Sequence, residues 1–288
     1  MLLEIMETLS SEFYLRPQSL AEAVAALSGS PVMIVAGCTD FYPVHVGKPL
    51  PPQLVDVSAI AEMRQIAIVG DHVRIGGAVT WHEIASASLP PAFRALQEAA
   101  RQVGSIQVQN RGTIAGNICT ASPAADGVPP LLVLNADVEI ASSGGIRKMP
   151  LAAFVTGYRM TALARGEVLS AIVIPRPVVG ATSAFQKLGA RKYLVISIVM
   201  TAAFMRKDKV GRIVEARIAV GSAAAKAQRL HLLENEIVGC LPTDVEGMLR
   251  NEHFDALHPI DDVRASARYR LDAARHLVVE ALKQAAGD

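Results

Sequence analysis

Residues 105–130 read SIQVQNRGTIAGNICTASPAADGVPP, a polar run set between two strongly apolar stretches. Thr113, Gly116, Asn117, Thr120, Ser122 and Asp126 place hydroxyl, amide and carboxylate groups on a backbone kept bare by glycine. No helical or strand period runs through the segment, so it is expected to be a long loop. Loops of that length are uncommon unless functional. Gly112 and Gly116 would let the backbone approach a ligand, with Thr113 and Asn117 donating to phosphate oxygens. The plainer alternative is a solvated loop whose polar groups satisfy its own turns.

A second glycine turn, AGCTD at Ala36–Asp40, follows the short apolar strand expected at 31–36. A tight turn there aims successive N–H groups outward, a nest suited to anionic oxygens. Taken alone it reads more readily as a strand-to-helix turn with Asp40 as the N-cap. Two such turns in one chain suggest a ligand with an extended, doubly charged middle, such as a dinucleotide pyrophosphate. There is no G-x-G-x-x-G, and Gly37 to Lys48 does not fit a Walker spacing, so an ordinary Rossmann domain or P-loop is unsupported.

Working outward, the chain divides into three expected modules at 1–58, 59–176 and 177–288. In the first, Ser19 and Glu22 form a capping box opening a helix, and Leu54–Val57 is strand-like, giving a βαβ pattern. In the second, QIAIV and HVRIGGAV flank a turn at Gly70–Asp71, and Thr80 with Glu83 caps a helix. PAFRALQEAARQV is then helical, Leu131–Ile140 a buried strand, Pro150 a helix start and Leu169–Ile174 a strand. In the third, Thr182–Leu188, Ile196–Phe204 and Ile213–Val220 are strands. Asp261–Ala286 is an amphipathic helix with Val263, Ala267, Leu271, Ala274, Val278 and Ala281 on one face.

Of the 288 residues 51% are hydrophobic and 19% charged, enough for sizeable cores, and the net charge of +1 gives no footprint for nucleic acid. Apolar runs are too short or interrupted for membrane insertion, and the acidic N-terminus has no signal-peptide n-region, so cytoplasmic placement is expected. Cys38, Cys119 and Cys240 are scattered, with no metal or iron–sulfur spacing. His82–Glu83 is better read as a cap than as an acid–base pair, His253 and His258 lack a metal-like partner, and Arg264, Arg268 and Arg275 read as a solvated face. Cys119 reads as a buried thiol. No catalytic set and no metal site is identified.

AGCTD and QNRGTIAGNICTASPAADGVPP, in this order and separation, resemble the FAD-binding medium subunits of the molybdenum hydroxylases, the xanthine dehydrogenase and carbon monoxide dehydrogenase type. The likeness continues through ADVEI, GEVLSAIVIPRP, FQKLGARK and PIDDVRASARYR, nearly the whole chain. It implies an α+β protein: a vanillyl-alcohol-oxidase-type (PCMH-like) FAD-binding fold of two α/β subdomains plus a C-terminal sheet-and-helix domain. It further implies that Val35, Ala36, Gly37, Cys38, Thr39 and Asp40, with Thr113, Ala115, Gly116 and Asn117, surround the pyrophosphate and nearby flavin. Thr120, Ser122 and Asp126 would continue the polar wall, Asp126 as an acceptor for FAD. Leu169 would lie against the flavin and Lys187 near the isoalloxazine edge.

Two positions depart from the family pattern, Cys38 and Ala115 both standing for glycine. A Cβ at a positive φ costs about 1 kcal/mol, tolerable against a whole-cofactor interface. The acidic pair that some xanthine dehydrogenases carry is replaced by Lys192–Tyr193–Leu194. The resemblance implies an FAD-binding oxidoreductase subunit, closest to the xanthine dehydrogenase branch. Its partners would be a [2Fe-2S] small subunit and a molybdopterin large subunit, in a heterotrimer or its dimer, with electrons leaving to NAD or another acceptor. The alternatives are a carbon monoxide dehydrogenase-like medium subunit, a flavin-less assembly subunit and a stand-alone flavin oxidase.

Overall fold

The computed structural model describes residues 13–28, 32–176, 179–191 and 195–287. Strands β1 (Tyr14–Leu15), β2 (Met33–Val35) and β3 (Leu54–Asp56) form a parallel sheet in the order β1-β3-β2. The helix Leu20–Leu27 starts where Ser19 Oγ accepts from the Glu22 amide. The other half of the expected capping box is displaced, since Glu22 accepts from the Gln18 amide instead. Ala23 and Leu27 of this helix share one apolar cluster with Val55, Met63, Ala141 and Val168. The first sheet therefore packs on the second through buried side chains rather than through a linker.

The second sheet comprises β4 (Ile66–Val69), β5 (His72–Gly76), β6 (Asp137–Ser142), β7 (Gly145–Pro150) and β10 (Val168–Pro175). Its order is β4-β5-β10-β6-β7, and the described pairings are antiparallel. A small hairpin, β8 (Val155–Gly157) and β9 (Met160–Thr161), lies beside it. Central β10 is buried from Val168 to Ile174, which is why that stretch reads as an unbroken apolar run. Thr80 and Glu83 close both arms of a capping box at the helix Trp81–Ser86.

The run at 105–130 is not the irregular loop its lack of periodicity suggests. It forms the helices Ile106–Gln109 and Ile114–Thr120 and the start of Val128–Val133. Each of the first two is too short to show a period, and serine or threonine caps them, Ser105 on Val108 N and Thr113 on Gly116 N. Leu131–Ile140 is likewise not one strand, because Val128–Val133 is helical and only Asp137 onward is extended. Pro129 and Pro130 sit where a helix needs no N–H donors, and a short, fully buried apolar run cannot be assigned by period.

The third sheet is a meander of β11 (Ala181–Leu188), β12 (Val199–Lys207), β13 (Ile213–Gly221) and β14 (Gln228–Arg229). One face carries the helix Ala267–Ala286, and the other contributes Phe185, Met200, Ala202 and Phe204 to the core of the second unit. Ser183 Oγ joins them, donating to Ala92 O and accepting from Ala95 N. The C-terminal helix differs from its expected face at two points. Val263 precedes it and is exposed, and buried Arg270 is on its inner side. Arg270 is tolerated there because it donates to Ile198 O, Ser222 O and the Asp262 carboxylate. Among the described residues no helix is long and apolar enough to cross a membrane.

Inside the second sheet, buried Glu139 accepts from Arg74 Nη2 at 2.8 Å and Ser170 Oγ at 3.0 Å. Burial pushes its carboxyl up, but these partners outweigh burial and hold it below the ordinary range. A depressed carboxyl stabilises the fold fully above its unfolded pKa and loses that contribution as pH falls through the folded value. Glu139→Gln is thus expected to be less stable at neutral pH, and to show a flatter stability profile than wild type below about pH 5. Urea titrations across that range measure both slopes, and parallel profiles would contradict the assignment.

Candidate functional site

The turn leaving β2 is built to contact the second unit through its backbone. A Cβ at Gly37 would lie 1.8 Å from Arg111 O and 2.5 Å from Arg111 C, so only glycine admits this approach. Cys38 follows at φ +58°, in the left-handed region, and Asp40 takes the N-cap position of the helix Phe41–His45 without a side-chain cap bond. Among the described residues, the amides of Gly37, Cys38, Thr39 and Asp40 meet no protein acceptor. Four neighbouring donors without an acceptor are what the anion-binding nest read from the sequence requires.

The facing helix Ile114–Thr120 is the opposite case. Its first amides are already committed: Ile114 N to Val79 O at 3.0 Å, Ala115 N to Gly77 O at 3.1 Å, and Gly116 N to Thr113 Oγ1 at 3.2 Å. The first two bonds pin the helix to the segment leaving β5, the third is its own cap, and together they make it a wall of the cleft rather than its anion-binding end. Gly112 and Gly116 accordingly serve packing within the protein. A Cβ would come within 2.9 Å of Val108 O at the first and 2.9 Å of Thr113 Oγ1 at the second. Ala115 lies in the first helical turn, where alanine outranks glycine by about 1 kcal/mol. Of the two departures from glycine, only Cys38 carries a backbone cost.

Two adjoining cavities open between the turn and the helix. One, of about 610 Å³, is mainly apolar and includes Met33, Pro51, Met63, Ala115 and Leu169 in its wall. The other, of about 510 Å³, is lined by the turn 36–40 and by Asn117, Thr120, Ser122 and Arg159. They share the stretch from Met33 to Ala36, together with Thr113, Gly116 and Cys119. Leu169 reaches the first cavity at an irregularity of β10, where the register shifts between Leu169 and Ala171 and Ser170 O accepts from Gly77 N at 2.7 Å.

The structure therefore gathers thirteen of the fifteen candidate residues. Val35, Ala36, Thr113 and Gly116 border both cavities; Gly37, Cys38, Thr39, Asp40, Asn117, Thr120 and Ser122 the polar one; Ala115 and Leu169 the apolar one. Asp126 and Lys187 are in neither wall. They form a buried ion pair at 2.6 Å, and the second Asp126 oxygen accepts from Ser197 Oγ at 2.6 Å. Burial pushes the Asp126 carboxyl up while Lys187 and Ser197 pull it back. Sequence patterns do not show this pairing, because 61 positions separate the partners. Arg159, in the turn between β8 and β9, is a charged lining residue of the polar cavity that the motifs did not point to. The Lys192–Tyr193–Leu194 departure lies outside the described residues.

Neither thiol in the cleft is poised as a nucleophile. Burial pushes Cys119 up to about 12, and burial with the nearby Asp56 carboxylate raises Cys38, only partly offset by Arg111. Asn117 Oδ1 is buried with no partner. Among the described residues no group of three metal-ligating side chains assembles.

Residues 7–177 match the FAD binding domain in molybdopterin dehydrogenase, and residues 183–285 the CO dehydrogenase flavoprotein C-terminal domain. The chain belongs to the FAD-binding subunits of the molybdopterin dehydrogenases. It is 31% identical to the nicotinate dehydrogenase FAD-subunit of Eubacterium barkeri, over 96% of this chain and 97% of that one. It is 30% identical to the xanthine dehydrogenase FAD-binding subunit of Escherichia coli O157:H7, over 94% and 95% of the two chains. The solved reconstituted CO dehydrogenase from Oligotropha carboxidovorans contains a chain that superposes with a TM-score of 0.89 at 26% identity, over 96% of this chain and 97% of that one. FAD is thus the cofactor of this oxidoreductase subunit, and the PCMH-like fold expected from the sequence is the one observed.

Two substitutions separate packing from strain in the turn. Gly37→Ala must displace the Arg111 carbonyl and is expected to cost about 1–3 kcal/mol. Cys38→Gly removes a left-handed Cβ and should stabilise by up to about 1 kcal/mol. Urea unfolding of both variants reads the signs, and a neutral Gly37→Ala would refute the backbone contact.

Proposed function

We propose that this chain is the electron-transfer subunit of a xanthine dehydrogenase-like complex. It would receive electrons from a [2Fe-2S] partner reduced by a molybdopterin-bearing subunit, and deliver them to NAD. The observation that carries the reading is the pair of adjoining cavities, one apolar and one edged by four unpaired amides. Their shared wall suits a ligand with flat ring systems joined by a charged bridge.

Bound FAD supplies the exchange between one-electron carriers and a two-electron acceptor. The protein's own residues bind and orient it. Gly37, Cys38, Thr39 and Asp40 would direct their N–H groups at the pyrophosphate, replacing water donors lost on binding. Thr113 and Asn117 would add side-chain donors from the facing helix, with Thr120 and Ser122 continuing the polar edge. Leu169 and Ala115 would press against one of the flat rings in the apolar cavity. Val35 and Ala36 stand where the two cavities meet and would flank the junction of ring and bridge. Asp126 and Lys187, paired with each other, would act from behind the wall by fixing the segment around Ser197. Substrate oxidation would take place on the molybdopterin-bearing partner.

The similarity to the nicotinate and xanthine dehydrogenase subunits supports the xanthine dehydrogenase-like branch. The carbon monoxide dehydrogenase-like alternative draws on the medium chain of Hydrogenophaga pseudoflava, 30% identical over 94% of this chain. The purified complex should absorb at about 450 nm, release one FAD per copy of this chain, and contain molybdenum and iron. Its substrate-reduced form should reduce NAD. Reduction of artificial dyes but not of NAD would reject the acceptor. A colourless chain that still assembles would reject the cofactor role, and flavin without molybdenum or iron would favour a stand-alone oxidase.

A further inference from the structure

The polar cleft poses an electrostatic problem. Its amide nest favours an anion, yet the same turn carries the Asp40 carboxylate, half exposed at the cleft edge. A diphosphate entering beside an unscreened carboxylate is repelled at short range. Among the described residues lining this cleft, Arg159 is the permanently charged cation; the other basic group, His45, has Nδ1 on Phe41 O at 2.8 Å.

Arg159 is placed by the backbone rather than by chance. It stands at φ +51°, a region a non-glycine residue seldom occupies, in the turn between β8 and β9. Its N–H donates to Ala121 O at 2.9 Å, and Ala121 is the left-handed C-cap of the helix Ile114–Thr120 that walls the cleft. The guanidinium lies 3.6 Å from Asp40 Oδ2, with both side chains about half exposed. An ion pair that open is weak, so its arginine can be drawn to a stronger anion at little cost. A guanidinium offers planar, forked donors matched to phosphate oxygens, and its charge does not depend on pH near neutrality.

We infer that Arg159 is a binding residue for the diphosphate bridge of the cofactor, held beside the nest by Asp40 and exchanging that carboxylate for phosphate oxygens when the bridge enters. The inference rests on the FAD reading above and adds a residue to it. Asp40 then has two effects: it parks the guanidinium over the nest, and it makes the cleft unattractive to anions when the arginine is absent.

The test compares FAD with riboflavin, which has the same ring system and no phosphate. Flavin-free full-length protein is titrated with each ligand, and binding is followed by quenching of flavin fluorescence. Arg159→Met should weaken FAD by about tenfold or more while leaving riboflavin affinity unchanged, and should flatten the salt dependence of FAD binding. Arg159→Lys should recover part of the loss. Asp40→Asn added to Arg159→Met should also restore part of it, since the repelling carboxylate is gone. Equal weakening of FAD and riboflavin would show a structural role and overturn the inference, as would unchanged FAD affinity in Arg159→Met. A wild-type chain that binds riboflavin as tightly as FAD would overturn it too. Wild-type protein that binds neither ligand would instead reject the FAD reading on which the inference stands.

Discussion

The backbone of Gly37 rests against the carbonyl of Arg111, and the site depends on that contact. It brings the turn after the parallel sheet onto the segment that starts the helix Ile114–Thr120. A methyl group at Gly37 would sit 1.8 Å from the Arg111 oxygen, well inside contact distance. Because the units touch here through main chain, the gap between their side chains is fixed on either side of the contact. Both cavities are consequences of that spacing. The turn amides at 37–40 border the polar cavity and meet no acceptor among the described residues.

Elsewhere the three sheets are tied by buried groups that do not enter the cleft. Asp126, Lys187 and Ser197 bridge the end of the polar motif to the third sheet. Removing Asp126 alone would leave the Lys187 ammonium buried and uncompensated, a costlier change than replacing both by apolar residues. Flavin lost by such a variant would therefore report structural damage together with any direct effect. Arg270 plays a comparable part on the far side of the third sheet, joining the C-terminal helix to Ile198, Ser222 and Asp262.

Backbone strain is concentrated near the cleft as well. Cys38, Ala121 and Arg159 all occupy left-handed conformations without being glycine. Such residues persist where surrounding structure over-determines them, and they cluster at ligand sites. Cys38 is fixed by its neighbour's contact with Arg111, while Ala121 and Arg159 are fixed by a hydrogen bond to each other.

How much was readable in advance differed between the elements. Local chemistry carried the Thr80–Glu83 capping box, the β4–β5 hairpin across Gly70–Asp71 and the buried run of β10, each of which depends on neighbours in sequence. The motifs at 36–40 and 105–130 likewise marked the residues that border the cleft and, through resemblance, the family. Secondary structure within 105–130 and at Val128–Val133 was not readable, because helices of one or two turns have no measurable period and buried apolar runs look alike in strand and helix. Distance decided the remainder. Whether Asp126 faces a ligand or Lys187, which amides of two glycine turns stay unpaired, and which arginine overlooks the nest all depend on groups brought together from remote parts of the chain. Sequence by itself determined the family, the cofactor and the residues that border the cleft. Only the tertiary structure decided their division of labour, since a hydrogen-bond donor is free or spent according to what the fold places opposite it.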